Sequence, residues 1–186
     1  LSILFCVALK AVSGIYGKYL KNPYLRVCVA GCLVIGITML LGTGDYMGAG
    51  NELIARAVEQ GKARPLDFLW KMILTAITMR AGYRGGEIVT AFSVGATFGC
   101  VAGGLLGFSP EVAAAASMVA LFCGVTNCPI ASMLISFELF GFSGAAYYLI
   151  AISISYALSG YYSLYKDQTI VYSKYKAKYV NRHTKT

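Results

Sequence analysis

The sequence predicts an all-α polytopic membrane protein whose helices are broken, short and partly re-entrant. Three observations carry that expectation. Of the 186 residues, 58 % are hydrophobic and 13 % charged, about half the charge of a soluble domain, and the mean hydropathy is +0.65. The apolar runs are cut by glycine or proline into pieces, several of only roughly 10–16 residues, where a full span needs about 20. The basic residues gather after the last apolar run: Lys166, Lys174, Lys176, Lys178, Arg182 and Lys185 stand against one acid, Asp167.

Each element follows from local signals. Leu1 to Leu20 reads as a helix ended by the polar connector "KYLKNPYLR". It has neither a charged leader nor a small-residue cleavage site, so a signal peptide fits poorly and the chain is expected to begin inside a longer protein. Arg26 to Leu41 is a second apolar run, short for a span. A glycine-rich loop, Gly42 to Gly50, precedes an amphipathic helix from Glu52 to Gln60 with Asn51 as its cap. Pro65 opens a helix over Leu66 to Met79 that carries Lys71 and then Arg80.

The stretch "AGYRGGEIVTAFSVGATFG" comes next, then a glycine-dotted helix from Ile88 to Phe108. Ser109 is expected to cap the following helix, with Glu111 in its first turn. That helix breaks at "TNCP", and Pro129 opens "IASMLISFELF". The last span runs from about Ala145 to Leu158, and Ile170 to Val180 is expected to form a final helix entering the tail. This makes about nine helical pieces, divided into a membrane-embedded part over 1–162 and a final helix with a basic tail over 163–186. Interrupted helices at membrane depth are tolerated where protein or a watery cavity covers the free backbone, which points to a channel or transporter.

Other classes fit poorly. Six cysteines lie in apolar segments without a C-x-x-C pair, and the one histidine, His183, is in the tail, so no metal site is expected. The cysteines read as small packing residues. An enzyme lacks its parts: there is no nucleophile with a base and no phosphate loop, and no cofactor is expected. A short basic tail after a span belongs on the cytoplasmic side against anionic headgroups rather than on nucleic acid.

The junction from Gly82 to Glu87 combines glycines with an acid before an apolar helix. One reading is a plain loop between spans. The other is a helix amino end inside the membrane, whose unpaired N–H groups and positive dipole end make an anion site. Lys71 and Arg80 are expected to snorkel, the alternative being an attractive field for anions. Thr75, Thr78 and Ser132 are expected to bond within their helices or to neighbours.

The junction "GYRGGEIVTAFSVGATFG" resembles the anion-binding segment of the CLC chloride channels and anion/proton antiporters, G-x-x-G-G-x-F-x-P followed by G-x-x-x-G. "ALFCGVTNCPIASMLISFELFG" resembles a pair of short helices in the same family, with Glu138 near the end of the second. The likeness extends over essentially the whole chain and implies one inverted-repeat half of the CLC fold, its carboxyl-terminal half. It implies passive or proton-coupled movement of chloride or fluoride through an integral membrane protein of the cell membrane, in a homodimer. The segment from Pro129 to Leu158 would form much of the dimer contact. The implied anion ligands are the amides of Glu87 and Ile88, with Gly85 and Gly86 shaping the turn, and the hydroxyl of Tyr165; Tyr162 and Tyr172 are the alternatives.

Three departures stand out. Ile88 replaces the motif phenylalanine and Thr90 its proline. Glu87 stands where the chloride-type pattern is apolar, as in the fluoride-exporting branch. Glu87 either takes part in proton transfer or caps its helix. The G-S-G-I-P and G-x-E-G-P segments of the family's first half do not occur in this sequence, so it is expected to supply one wall of an anion path; the alternative is a non-conducting membrane scaffold.

Overall fold

The computed structural model describes residues 1–165, 167–174, 176 and 178–184. The described residues form eight α-helices and a two-stranded antiparallel hairpin. The helices are α1 (Ser2–Tyr19), α2 (Pro23–Leu41), α3 (Asn51–Glu59), α4 (Asp67–Ala81), α5 (Glu87–Leu106), α6 (Pro110–Thr126), α7 (Pro129–Phe140) and α8 (Ala145–Leu158). The strands are β1 (Thr169–Tyr172) and β2 (Tyr179–His183).

Prolines set three starts. Pro23, Pro110 and Pro129 stand in the first turns of α2, α6 and α7, where the missing N–H costs nothing. With Asn22 capping through Tyr24 N at 3.1 Å, α2 starts earlier than the sequence suggests. Its 19 residues reach about 28 Å at 1.5 Å each. α2 and α5 are long and apolar enough to cross a membrane.

Two expected caps do not form. Gly50, at φ 86°, is the N-cap of α3, so Asn51 is already helical. A Cβ at Gly50 would meet Lys71 Cε and Ser93 Oγ at 2.9 Å, so only glycine fits. Ser109 precedes α6 without a side-chain cap bond; Pro110 at the first helical position leaves one fewer free N–H at that end.

The core centres on α5, which packs against α6 along its length and also against α3 and α4. Phe5, Leu9, Met72, Val94, Leu121 and Val125 meet in the largest buried cluster. Gly95, Gly99 and Gly103 form the α5 face against α6. A Cβ at Gly95 would stand 2.8 Å from Met118 Cα, and one at Gly103 2.5 Å from Ala113 Cβ. The two backbones therefore touch, as small residues at four-residue spacing allow.

Most buried hydroxyls bond within their own helix. Thr75 Oγ1 donates to Lys71 O at 2.7 Å, Thr78 to Leu74 O at 2.9 Å, Thr97 to Ser93 O at 2.8 Å, Thr126 to Phe122 O at 2.8 Å and Ser132 to Cys128 O at 2.7 Å. Ser155 instead reaches from α8 to Ala120 O of α6 at 2.6 Å. Of the cysteines, Cys6, Cys100 and Cys123 are buried packing residues, whereas Cys28, Cys32 and Cys128 are exposed.

The expected final helix over 170–180 is replaced by the hairpin. Its register pairs Thr169 with His183, Ile170 with Arg182 and Tyr172 with Tyr179. β-Branched and aromatic side chains in "TIVY" lose freedom in a helix and pack well on a strand. Tyr172 and Tyr179 stack edge to face at 6.0 Å. Lys174, between the strands, fixes the hairpin to the carboxyl ends of α6 and α8. Its ammonium donates to Asn127 Oδ1, to Tyr156 O at 3.1 Å and to Ser159 Oγ at 2.9 Å. Cations are favoured at such helix ends. Lys166 and Lys185 of the basic tail lie outside the described residues.

Candidate functional site

The junction between α4 and α5 turns at one glycine. Gly82 has φ 113°, which L side chains rarely adopt. Arg26 Nε donates to Ala81 O at 3.0 Å and Tyr83 OH to Val27 O at 3.1 Å, tying the turn to α2. Gly85 and Gly86 have no positive φ, so the turn is shaped by Gly82 and not by them. A Cβ on Gly86 would meet nothing within 4 Å, and one on Gly85 only Met79 Sδ at 3.4 Å. What the pair contributes is bare backbone beside a cavity of about 400 Å³, which both residues line together with Lys71, Thr75, Thr78 and Thr90.

Gly86 is the N-cap of α5 at φ −88° and has no side chain with which to cap it. The first amides of α5, those of Glu87 and Ile88 among them, have no partner within the helix. At the position of the family's proline, Thr90 Oγ1 donates to Glu87 O at 2.9 Å and so holds the first turn another way. The Glu87 carboxylate does not cap the helix. It forms an ion pair with Arg80 at 3.5 Å, the two side chains being about a quarter exposed. Arg80 is thus paired rather than snorkelling, and its Nε is buried without a hydrogen-bond partner.

Tyr165 lies apart from the 400 Å³ cavity and is 46 % exposed. Its N–H donates to Ser163 Oγ at 3.2 Å and its carbonyl accepts from Thr184 Oγ1 at 2.7 Å. Of the alternatives, Tyr162 is half-buried against the core, and Tyr172 is on the hairpin. Ile88 is 37 % exposed. Glu138 is exposed near the end of α7. The structure therefore brings Gly85, Gly86 and the start of α5 to one cavity and leaves Tyr165 on an open face beside the 163–164 turn.

Sequence reasoning misplaced Lys71 and passed over Asp67 and Tyr46. Lys71 is 1 % exposed on that cavity. Its ammonium donates to Tyr46 O at 3.0 Å and Gly48 O at 2.7 Å. Tyr46 OH donates to Asp67 Oδ1 at 2.6 Å, and Arg64 N to Asp67 Oδ2 at 2.9 Å. The loop Gly42–Gly50 is clamped by two side chains one turn apart on α4. The available signal was the spacing: an acid and a base four apart on an apolar helix face the same way.

A second cavity of about 440 Å³ lies between α1, the end of α4 and the 163–164 turn, lined by Cys6, Leu9, Lys10, Ser13, Arg80 and Ser163 among others. Among the described residues no group of three histidine, cysteine or acidic side chains is placed to hold a metal.

Interrupted helices around a helix amino end that opens on a cavity define a class of all-α membrane protein. The model of the voltage gated chloride channel family matches residues 1–160, and the chain belongs to that family, whose members are integral membrane proteins. It is 30 % identical over 179 residues to a chloride/fluoride channel protein of Pseudomonas syringae pv. tomato, covering 93 % of this chain and 39 % of the relative. It superposes on the crystal structure of a CLC-type fluoride/proton antiporter with a TM-score of 0.84 and 29 % identity, covering 88 % of this chain and 42 % of that one. The chain spans about two fifths of the length of these relatives.

Proposed function

We propose that this chain forms one wall of a path for chloride or fluoride through a membrane, as part of a CLC-type channel or anion/proton antiporter. The observation that carries the reading is the open amino end of α5 beside bare glycine backbone. Amides there replace an anion's water without a full cationic charge. The anion is held by the amides of Glu87 and Ile88, with Gly85 and Gly86 keeping the approach clear, and by the Tyr165 hydroxyl. Glu87 takes part in proton transfer when the path is proton-coupled. Residues 1–162 are membrane-embedded and 163–186 lie at the cytoplasmic face against anionic lipid. Two copies form a homodimer through α7 and α8, whose outer faces carry Ile130, Leu134, Ile150 and Ile154 exposed. The second reading is a non-conducting membrane scaffold.

Anion efflux from proteoliposomes holding the full-length protein tests the first reading. Flux of chloride or fluoride is expected, reduced by Tyr165→Ala and by Gly86→Leu. Flux unchanged in both variants removes the site, and no flux from the full-length protein favours the scaffold. Glu87→Gln is expected to change the proton-to-anion ratio; an unchanged ratio removes Glu87 from proton transfer.

A further inference from the structure

The last carbonyls of an α-helix have no partner within the helix. At the carboxyl end of α6 the chain that follows α8 supplies the donors. Leu164 N–H donates to Val125 O at 2.9 Å, and Gln168 Nε2 donates to Thr126 O at 2.9 Å. Asn127, in the left-handed C-cap position of α6, donates through Nδ2 to Tyr162 O at 2.9 Å. The stretch on either side of Tyr165 is therefore docked on one helix end.

Tyr165 is itself held by its main chain. Its N–H donates to Ser163 Oγ at 3.2 Å, and its carbonyl accepts from Thr184 Oγ1 at 2.7 Å. Ser163 is fully buried and donates to Gln168 Oε1 at 2.7 Å. Thr184 stands just beyond β2, and its N–H donates to Gln168 O at 3.0 Å. The hairpin thus leaves Tyr165 through β1 and returns to it after β2. With both main-chain groups fixed, the direction of the Cα–Cβ bond is fixed, and the ring is left with a few staggered positions.

Lys174 fastens the hairpin elsewhere. Its ammonium donates to Asn127 Oδ1, Tyr156 O and Ser159 Oγ, which uses all three of its donors, and it lies 4.2 Å from the centre of the Tyr156 ring. Asn127 is shared: one side-chain atom faces Lys174 and the other Tyr162 O. A path of bonded groups therefore runs from Lys174 through Asn127 to the stretch that carries Tyr165.

We propose that the hairpin is a strap that positions the Tyr165 hydroxyl for the anion, with Thr184 holding the Tyr165 main chain and Lys174 fastening the strap to α6 and α8. Both are positioning residues; neither touches the ion. The proposal rests on the anion-path reading, because it needs Tyr165 to be an anion ligand. Since α6 is also the helix against which α5 packs, the strap fixes the hydroxyl relative to the helix whose first amides hold the same ion.

Anion efflux from proteoliposomes holding the full-length protein, measured against fluoride and chloride concentration, gives the half-saturating concentration that tests this. Tyr165→Phe removes the hydroxyl and is expected to raise that concentration roughly tenfold, the scale of one hydrogen bond to a charged partner. Thr184→Val and Lys174→Met are expected to raise it by a smaller factor, roughly twofold to fivefold. Lys174→Arg keeps the charge and the donors and is expected to stay near wild type. In the Tyr165→Phe background, Thr184→Val and Lys174→Met are expected to add nothing, because the strap acts through the hydroxyl that is already gone. Thr184→Val removes one hydroxyl and keeps the shape of the side chain, so the test stands even if Lys174→Met fails to fold. Equal effects in the two backgrounds, or wild-type half-saturation in Thr184→Val and Lys174→Met, overturn the proposal. Tyr165→Phe equal to wild type removes Tyr165 from the path, and the strap's role with it. A weakened Tyr165→Phe beside unaffected strap variants removes the strap alone and leaves the path standing.

Discussion

Replacing Gly99 by alanine puts one methyl group where α5 and α6 touch. The added Cβ would run into the Ala113 carbonyl and lie 2.5 Å from Ser117 Cβ. Carbon atoms prefer about 3.5–4.0 Å, so the two helices must part by roughly 1 Å. A gap of that size forfeits about a quarter to a half of the attraction between facing atoms, and overpacking a close-packed site costs about 1–3 kcal/mol. Alanine returns up to about 1 kcal/mol of helix propensity, leaving Gly99→Ala destabilised by up to about 2 kcal/mol. Gly104 stands on the same helix, exposed, with nothing within 4 Å of its would-be Cβ. Gly104→Ala therefore keeps the propensity gain unopposed and is expected to be stabilised by about 0.5–1 kcal/mol. Unfolding in mixed micelles, followed by the fluorescence of the single tryptophan, Trp70, measures both. Gly99→Ala equal to or more stable than Gly104→Ala refutes the reasoning, because the same substitution on the same helix would then ignore the contact.

Gly82→Ala forces a Cβ into φ 113° and is expected to cost about 1–3 kcal/mol, whereas Gly86→Ala, at φ −88° with open space, should leave unfolding unchanged; equal effects in the same assay would contradict the assignment of the turn to Gly82. Lys71→Met removes the bonds to Tyr46 O and Gly48 O, and amide exchange across Gly42–Gly50 is expected to quicken roughly tenfold, the scale of a lost charged hydrogen bond; unchanged exchange would show that Asp67 holds the loop alone. Burial pushes the Lys174 ammonium down to about 8 from 10.5. The unfolded chain then holds the extra proton between these values, so stability relative to Lys174→Met should rise as the pH goes from about 8 to 10.5. A flat difference across that window would mean that the carbonyls at the two helix ends cancel the cost of burial.

Helix starts were legible because proline and glycine act locally: Pro110 and Pro129 fix the first turns of α6 and α7 whatever surrounds them. The junction before α5 was legible as a place but not in its workings. A sequence does not say which of Gly82, Gly85 and Gly86 takes the left-handed turn, since all three can. Glu87 and Arg80 were read one at a time because their pairing depends on how α4 and α5 are aimed, which only packing decides. Lys71 looked like a snorkelling lysine because its helix is apolar; its acceptors are carbonyls of a loop more than 20 positions away in the chain. The tail misled for another reason. "TIVY" and "YVNRH" are short pieces in which helix and strand patterns overlap, and the cross-strand pairing of Tyr172 with Tyr179 that decides between them is not a local property.

The inward bonding of the threonine and serine hydroxyls has a consequence for biogenesis. A helix whose Thr75 and Thr78, or whose Thr97, already donates to its own carbonyls carries those donors sealed and can enter lipid before it meets a neighbour. Insertion and assembly then become separable events, and the order of the second is set by shape: the bare glycine face of α5 can close on α6 as soon as both are in the bilayer. The bond from Ser155 to Ala120 O has no such independence. It forms only once α8 lies beside α6, which makes that hydroxyl a marker of late assembly.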